Sequence, residues 1–240
     1  AISSPAIPGT SAPGSASSVR RDLFTGDTWY FRARKRVLSG FIKQHLPAGT
    51  RVLDVGCGDG WLAEALPECE WYSVEPDVVL RGEALSRGMM AAVGIAENLP
   101  FEDRCFDAVC IFDVLEHLPD EAPALMEAQR VLKPGGMLFI SVPLHPELWS
   151  RHDMRCGHYR RYRKGEVIRL FEGYGFRLVE RRFFMSLPLP LVWATRRLSL
   201  GEPGRMPGVL DTLAEKVAAL DAAMRLPFGV TEVVAVKKNG

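Results

Sequence analysis

From residue 51 to residue 184 short apolar runs alternate with stretches of mixed polarity. "RVLDV", "EWYSVE", "MMAAVG", "FDAVCIFD", "GGMLFISVP" and "FRLVERRFF" each have strand length and are rich in Val, Ile, Leu, Phe and Tyr. Between them, "GWLAEAL", "DVVLRGEALSR", "EAPALMEAQRVL" and "GEVIRLFEGYG" carry apolar residues at helical spacing. Strands that are apolar on both faces, separated by amphipathic helices, predict βαβ units and a mainly parallel sheet covered on both sides. A further helix is predicted over residues 27–46, with an apolar stripe starting at Trp29 or Tyr30 and running through Ala33, Val37, Phe41 and Ile42.

Outside that rhythm the chain changes character. Residues 1–20 open with Ser, Ala, Pro and Gly and are expected to form a flexible tail. Residues 21–240 are expected to form a single domain. Residues 185–229, punctuated by Pro and Gly and containing one clear helix, read as an insertion or cap before a last strand near residues 230–236.

Net charge is +1, so no global field points to nucleic acid. Five cysteines without CxxC spacing are expected as free thiols in a reducing cytoplasm. No apolar run reaches the ~18 residues of a membrane span, and no signal-peptide pattern opens the chain.

The first strand of the alternating region ends in "VLDVGCGDG", residues 52–60. A glycine turn between strand and helix lets a ligand approach backbone N–H groups with no Cβ in the way. Dinucleotide binders need a small third residue in G-x-G-x-x-G/A, yet Trp61 stands there. The glycines are spaced G-x-G-x-G instead, and Asp54 precedes them, a charge that repels a pyrophosphate and attracts a cationic ligand head.

These residues resemble the first motif of the class I S-adenosylmethionine-dependent methyltransferases. "VEPD" at the second strand end, "AENLPFEDRCFDAVCIFDVLEHLPD" and "RVLKPGGMLFISVP" resemble the family's later motifs in order and spacing. The resemblance covers roughly residues 29–184 and the final strand. It implies an α/β, doubly wound Rossmann-like sheet of seven strands, mostly parallel with the last antiparallel, plus an α-helical insertion before that strand. It also implies S-adenosylmethionine as donor and S-adenosylhomocysteine as product.

Carried over position by position, the resemblance puts Asp54 near the methionine ammonium and gives Gly56, Cys57 and Gly58 a backbone role toward the donor. Glu75, followed by Pro76, would hold the ribose hydroxyls, and Phe112 and Asp113 would flank the reacting methyl. Where the family often has an acid for the adenine amine, this chain has Ile95; either Glu97 or the backbone around Ala96 takes that bond.

Three segments carry a second layer of expectation. "WYFRARKR" resembles a Trp-Trp-Phe-x-x-Arg segment of some members and offers Trp29, Tyr30 and Arg32 as a lid and as acceptor contacts. "SRHDMRCGHYRRYRKGE" holds Arg155, His158, Tyr159 and Arg160 where the family places acceptor-binding elements, and arginine forks suit an anionic acceptor. Asp113, Glu116 and His117 have D-x-x-E-H spacing, similar to the metal site of some relatives, but no divalent metal is expected.

If the acceptor is a hydroxyl or ammonium, a base must take its proton. Asp113, His117, His145, His152 and His158 are candidates, with His158 and Asp113 at the more favourable positions. His145 is also counted among the acceptor contacts. The expected function is methyl transfer to a small molecule, anionic or sugar-linked, at oxygen; the alternative is a non-catalytic donor-binding regulator of the same fold. "FFMSLPLPLVW" is expected to cap the acceptor pocket or meet a partner, with peripheral membrane contact a lesser alternative, since Pro188 and Pro190 rule out a continuous interfacial helix.

Overall fold

Helix α1 (Trp29–Lys43) starts where Thr28, in extended conformation, accepts a hydrogen bond from the Phe31 amide. Its buried face, Trp29, Ala33, Leu38, Phe41 and Ile42, follows the expected stripe except that Leu38 is buried and the expected Val37 only half-buried. A computed structural model describes residues 28–190, 192, 193 and 208–240. The tail expected over residues 1–20 lies outside the described residues, as do residues 194–207 of the expected insertion.

Seven strands follow: β1 (Arg51–Val55), β2 (Glu70–Val74), β3 (Met90–Ala92), β4 (Phe106–Phe112), β5 (Leu132–Pro143), β6 (Phe176–Phe184) and β7 (Thr231–Lys238). They form one sheet in the order β3-β2-β1-β4-β5-β7-β6. Every pairing among β1 to β5 is parallel. Strand β7 runs antiparallel to both β5 and β6. This is the doubly wound Rossmann-like sheet with its last strand reversed.

Helices α2 (Trp61–Ala65), α3 (Val78–Ser86), α4 (Ala122–Val131), α5 (Arg151–Cys156), α6 (Glu166–Glu172) and α7 (Gly208–Met224) complete the architecture. Alternating strand positions feed two apolar clusters, one on each face. Leu53, Val109, Ile111, Leu138 and Ile140 pack with Leu125 and Phe171 of α4 and α6. Val52, Ala108, Cys110 and Phe139 pack with Phe41 and Ile42 of α1 and Leu62 of α2. Each such buried side chain contributes roughly 1.5–3 kcal/mol, and burial on both faces explains why these strands read as continuous apolar runs.

Two local differences from the sequence reading have physical causes. The fifth strand, expected over "GGMLFISVP", starts three residues earlier: Leu132 pairs with Phe106, and a register shift between Phe106 and Ala108 accommodates Pro134 and Gly135 as an irregularity inside β5. Gly135 keeps the left-handed φ of +74° that a type II turn requires. The arginine-rich segment, in which no helix was expected, contains α5, whose capping box is formed by Ser150 and Asp153.

The sheet order reverses between β1 and β4, so a crevice lies beyond their carboxyl ends. Helix α1 closes one side of it, and α7 is clipped to α1. Arg32 pairs with Asp211 and with Glu215 at 3.1 Å, Arg36 pairs with Glu215 at 3.0 Å, and the Trp29 amide donates to Asp211.

Candidate active site

Three strand ends meet at this crevice. β1 delivers Asp54 and then Gly56, whose left-handed φ of +72° turns the chain while its N–H donates to the Val74 carbonyl at 2.8 Å. A Cβ on Gly56 would stand 2.6 Å from Val114 Cγ2, so no larger residue fits. Gly58, also left-handed, would point a Cβ into open space, which leaves its backbone accessible to a ligand.

β2 delivers Glu75, whose carboxylate accepts from the Gly58 amide at 2.9 Å and the Asp77 amide at 3.0 Å. Two main-chain donors fix its orientation, and an ionised carboxylate has about four acceptor positions. Pro76 beside it is exposed. Asp54 is buried, and its carboxyl is pushed up to about 8, chiefly by burial and secondarily by the charges of Glu75 and Asp59, against the favourable charge of Arg34. Cys57 is buried too, and burial followed by the charge of Asp54 raises its thiol, so it stays protonated and unreactive.

β4 delivers Phe112, buried, and Asp113, a non-glycine residue with φ of +54°. Residues held in this region cluster at functional sites. Both oxygens of Asp113 are engaged: Ser141 donates to Oδ1 at 2.6 Å, and Arg34 donates to Oδ2 at 2.8 Å through Nε and 2.6 Å through its second nitrogen. Arg34, rather than the expected Arg32, is the arginine of this segment that meets Asp113. Its signal was present, because the x-x-Arg spacing after Trp29-Tyr30-Phe31 ends on Arg34.

A second cluster grows from the segment after β5. Asp153, fully buried, accepts from the Ser150 amide at 2.9 Å and from Arg161 Nε at 2.7 Å, and pairs with His158 Nδ1 at 3.2 Å. An Nδ1–H donated to Asp153 leaves Nε2 of His158 as the acceptor nitrogen. The Tyr159 amide donates to the Glu116 carbonyl at 2.7 Å, which brings this segment against residues 115–117. The rings of His117 and His158 meet edge to face, 4.6 Å between centroids. Glu116 is buried beside them, its carboxyl held well above the usual range by burial and then by the charge of Asp113.

Several expected contacts are committed elsewhere. Arg160 donates to the Leu118 carbonyl at 3.0 Å and pairs with Glu121 at 2.6 Å, and Arg161 also donates to the Leu144 carbonyl, so neither fork is open to an anionic acceptor. Arg32 is likewise taken up by α7, and Trp29 is packed among Ala33, Phe184, Met185 and Ala218. His145 has one ring nitrogen 3.0 Å from Glu147 and the other 3.0 Å from the Gly229 carbonyl, which fixes the end of β5 rather than offering a base. Arg155 and Tyr159 are exposed.

Tyr30 stacks edge-on with Trp29 and Phe31. Ala96 is buried, Glu97 half-buried and Ile95 exposed, in a short turn closed by the Asn98 amide on the Ile95 carbonyl. Beside His145 a cavity of about 410 Å³ opens between Leu148 and Leu189, Pro190 and Trp193. Its wall is apolar, and the expected cap segment supplies half of it. Among the described residues no helix is long and apolar enough to cross a membrane.

A family model described as a methyltransferase domain matches residues 30–181. A ubiquinone biosynthesis O-methyltransferase from Xanthomonas axonopodis is 38% identical over 104 residues, covering 40% of this chain and 44% of that protein. A probable S-adenosylmethionine-dependent methyltransferase from Mycolicibacterium smegmatis is 30% identical over 156 residues, 62% of this chain and 60% of that one. The matched part thus spans about half the length of these curated relatives. Among solved structures, a possible histamine N-methyltransferase from Thermotoga maritima shares the fold at a TM-score of 0.60 and 22% identity, covering 88% and 93% of the two chains. A phosphoethanolamine N-methyltransferase from Haemonchus contortus, solved with S-adenosylmethionine, shares it at 0.64 and 18%, covering 94% and 58%.

Proposed function

The chain belongs to the class I S-adenosylmethionine-dependent methyltransferases, and from that premise we propose that it methylates a hydroxyl oxygen of a small molecule with an apolar body. The observation that carries the donor half is the convergence of Asp54, Glu75 and the open backbone of Gly58 at the reversal point of the sheet. Once bound, the donor supplies a methyl group already activated on a sulfonium. Asp54 receives the donor's ammonium, and Glu75, fixed by two amides, accepts from the ribose hydroxyls. Phe112 and Asp113 border the methyl, and Arg34 balances the charges of Asp54 and Asp113 while offering a cation to a carboxylate. The family fold needs mainly orientation for this chemistry, which can supply on the order of 7–11 kcal/mol of the barrier.

On the acceptor side Nε2 of His158 takes the hydroxyl proton, with Asp153 holding the ring and stabilising the imidazolium that results. Asp113 serves as a positioning residue rather than a base, since Ser141 and Arg34 use both its oxygens. The apolar cavity under Leu189, Pro190 and Trp193 receives the body of the acceptor. The O-methyltransferase names of the curated relatives support oxygen as the methylated atom.

Residues 21–240 act as one methyltransferase domain, with 185–229 as its cap. The five cysteines, none of them in a disulfide, support a reducing, cytoplasmic setting. The test is transfer of labelled methyl from S-adenosylmethionine to a panel of phenols, catechols and hydroxylated lipids, with products located by mass spectrometry. Oxygen-linked product that drops 10²–10⁴-fold in His158→Gln supports the reading. Donor binding with no transfer to any class would favour the regulator alternative.

A further inference from the structure

We propose that Glu116, His117 and His158 form a binding site for a borderline divalent ion such as Zn²⁺, and that an ion seated there silences methyl transfer. One nitrogen from each ring and one carboxylate oxygen all lie within 4.8 Å of one another. Ligands at about 2.0–2.2 Å from a tetrahedral ion sit roughly 3.4 Å apart, so side-chain rotations of about an ångström close the set. Two imidazoles with one carboxylate suit zinc, copper or nickel ahead of magnesium or calcium.

Two further observations point to a cation. Glu116 is 1% exposed, and its Oε2 has no hydrogen-bond partner. A buried acceptor left alone costs about 1–3 kcal/mol, and a metal ion satisfies it directly. His158 already has the outer support that metal-binding imidazoles characteristically have: Nδ1 is held by the buried Asp153, itself gripped by Arg161, which leaves Nε2 as the nitrogen to meet an ion. Asp113, though in the D-x-x-E-H run, is not part of the set, because Arg34 and Ser141 occupy it.

The ion is an inhibitor here and not a required cofactor. Seated on Nε2 of His158, it occupies the nitrogen assigned to the acceptor's proton; this silencing step rests on the proposed function, whereas the binding step does not.

Zinc binding is measured on the chelator-stripped full chain by competition with a chromophoric chelator, in wild type, His117→Ala, His158→Ala and His152→Ala. S-adenosylhomocysteine binding and melting temperature serve as checks on folding. The site is supported by one ion per chain at micromolar affinity or tighter, weakened at least 30-fold in His117→Ala and His158→Ala and unchanged in His152→Ala. Affinity equal in all four proteins, or lost equally in His152→Ala, overturns it. Cobalt(II) bound to the wild type with a four-coordinate visible spectrum that disappears in His158→Ala provides a second, activity-free reading. In the transfer assay, one equivalent of zinc abolishes activity and chelator restores it. Zinc bound at this site without loss of transfer overturns the silencing step. A chain with no transfer at all refutes the proposed function while the binding data still decide the site.

Discussion

Replacing Asp54 with Asn separates the stability of the fold from the service of its donor site. The carboxyl is pushed up to about 8 in the folded chain against 3.8 for the free group. At pH 7 it is therefore mostly neutral when folded and ionised when unfolded. Holding the proton over the interval from 3.8 to 7 costs on the order of 4 kcal/mol at about 1.4 kcal/mol per tenfold. Local relaxation brings the usable figure to roughly 2–4 kcal/mol.

Asn is nearly isosteric with the neutral carboxyl and carries no such cost. For a chain of this size the ligand-free variant should melt about 5–15 °C higher at pH 7. The sign follows from the raised folded value. The wild-type penalty is absent near pH 4, grows as pH rises toward 8 and is constant above it, so the gap between the two proteins should widen over that window. Differential scanning calorimetry across pH 4.5–8.5 gives the comparison. The same variant should lose most of its affinity for S-adenosylhomocysteine, because Asn cannot give up a proton to pair with the incoming ammonium as Asp54 can. A ligand-free Asn variant that melts at or below the wild type, with no pH trend in the difference, would refute the reasoning.

Gly58→Ala should fold with a loss of only about 1 kcal/mol, since its Cβ meets nothing within 4 Å, yet should weaken donor binding at least tenfold. Gly56→Ala, with a Cβ 2.6 Å from Val114, should cost roughly 2–4 kcal/mol and show a visibly lower melting temperature before any binding is measured. Arg34→Met breaks the pair with Asp113 and removes the cation that favours ionised Asp54; calorimetry at pH 7 should give a donor affinity lower by about 10- to 100-fold. His158→Gln should leave donor affinity within about twofold while kcat falls 10²–10⁴-fold, and a parallel loss of both would count against its role as base.

The sheet was legible because its central parallel strands are buried on both faces, so Val52 to Val55 and Phe106 to Phe112 read as largely apolar runs whatever surrounds them. The donor-facing residues were legible for a related reason. Asp54, Gly56, Gly58 and Glu75 are placed by strand ends and by backbone geometry, which short local motifs specify.

The acceptor side was less legible, because its partners come from distant parts of the chain. Nothing local shows that Arg32 will be drawn to Asp211 and Glu215, on a helix far along the chain, or that Arg160 will close on Glu121. Arg34 and Arg32 are both basic residues on α1; only the packed helix decides which of them meets Asp113. Asp153 was visible as a residue, but its role needs the fold that returns Arg161 and His158 to it.

The central claim is that this crevice holds a methyl donor. It is tested most directly by isothermal titration of S-adenosylhomocysteine into the wild type and into Glu75→Ala. Binding of one equivalent at micromolar affinity, weakened at least 30-fold in a Glu75→Ala protein that still unfolds cooperatively, though at a lower melting temperature because the Gly58 and Asp77 amides lose their acceptor, is the expected result. Absence of binding to the wild type, or equal binding to both proteins, would contradict the account at its base.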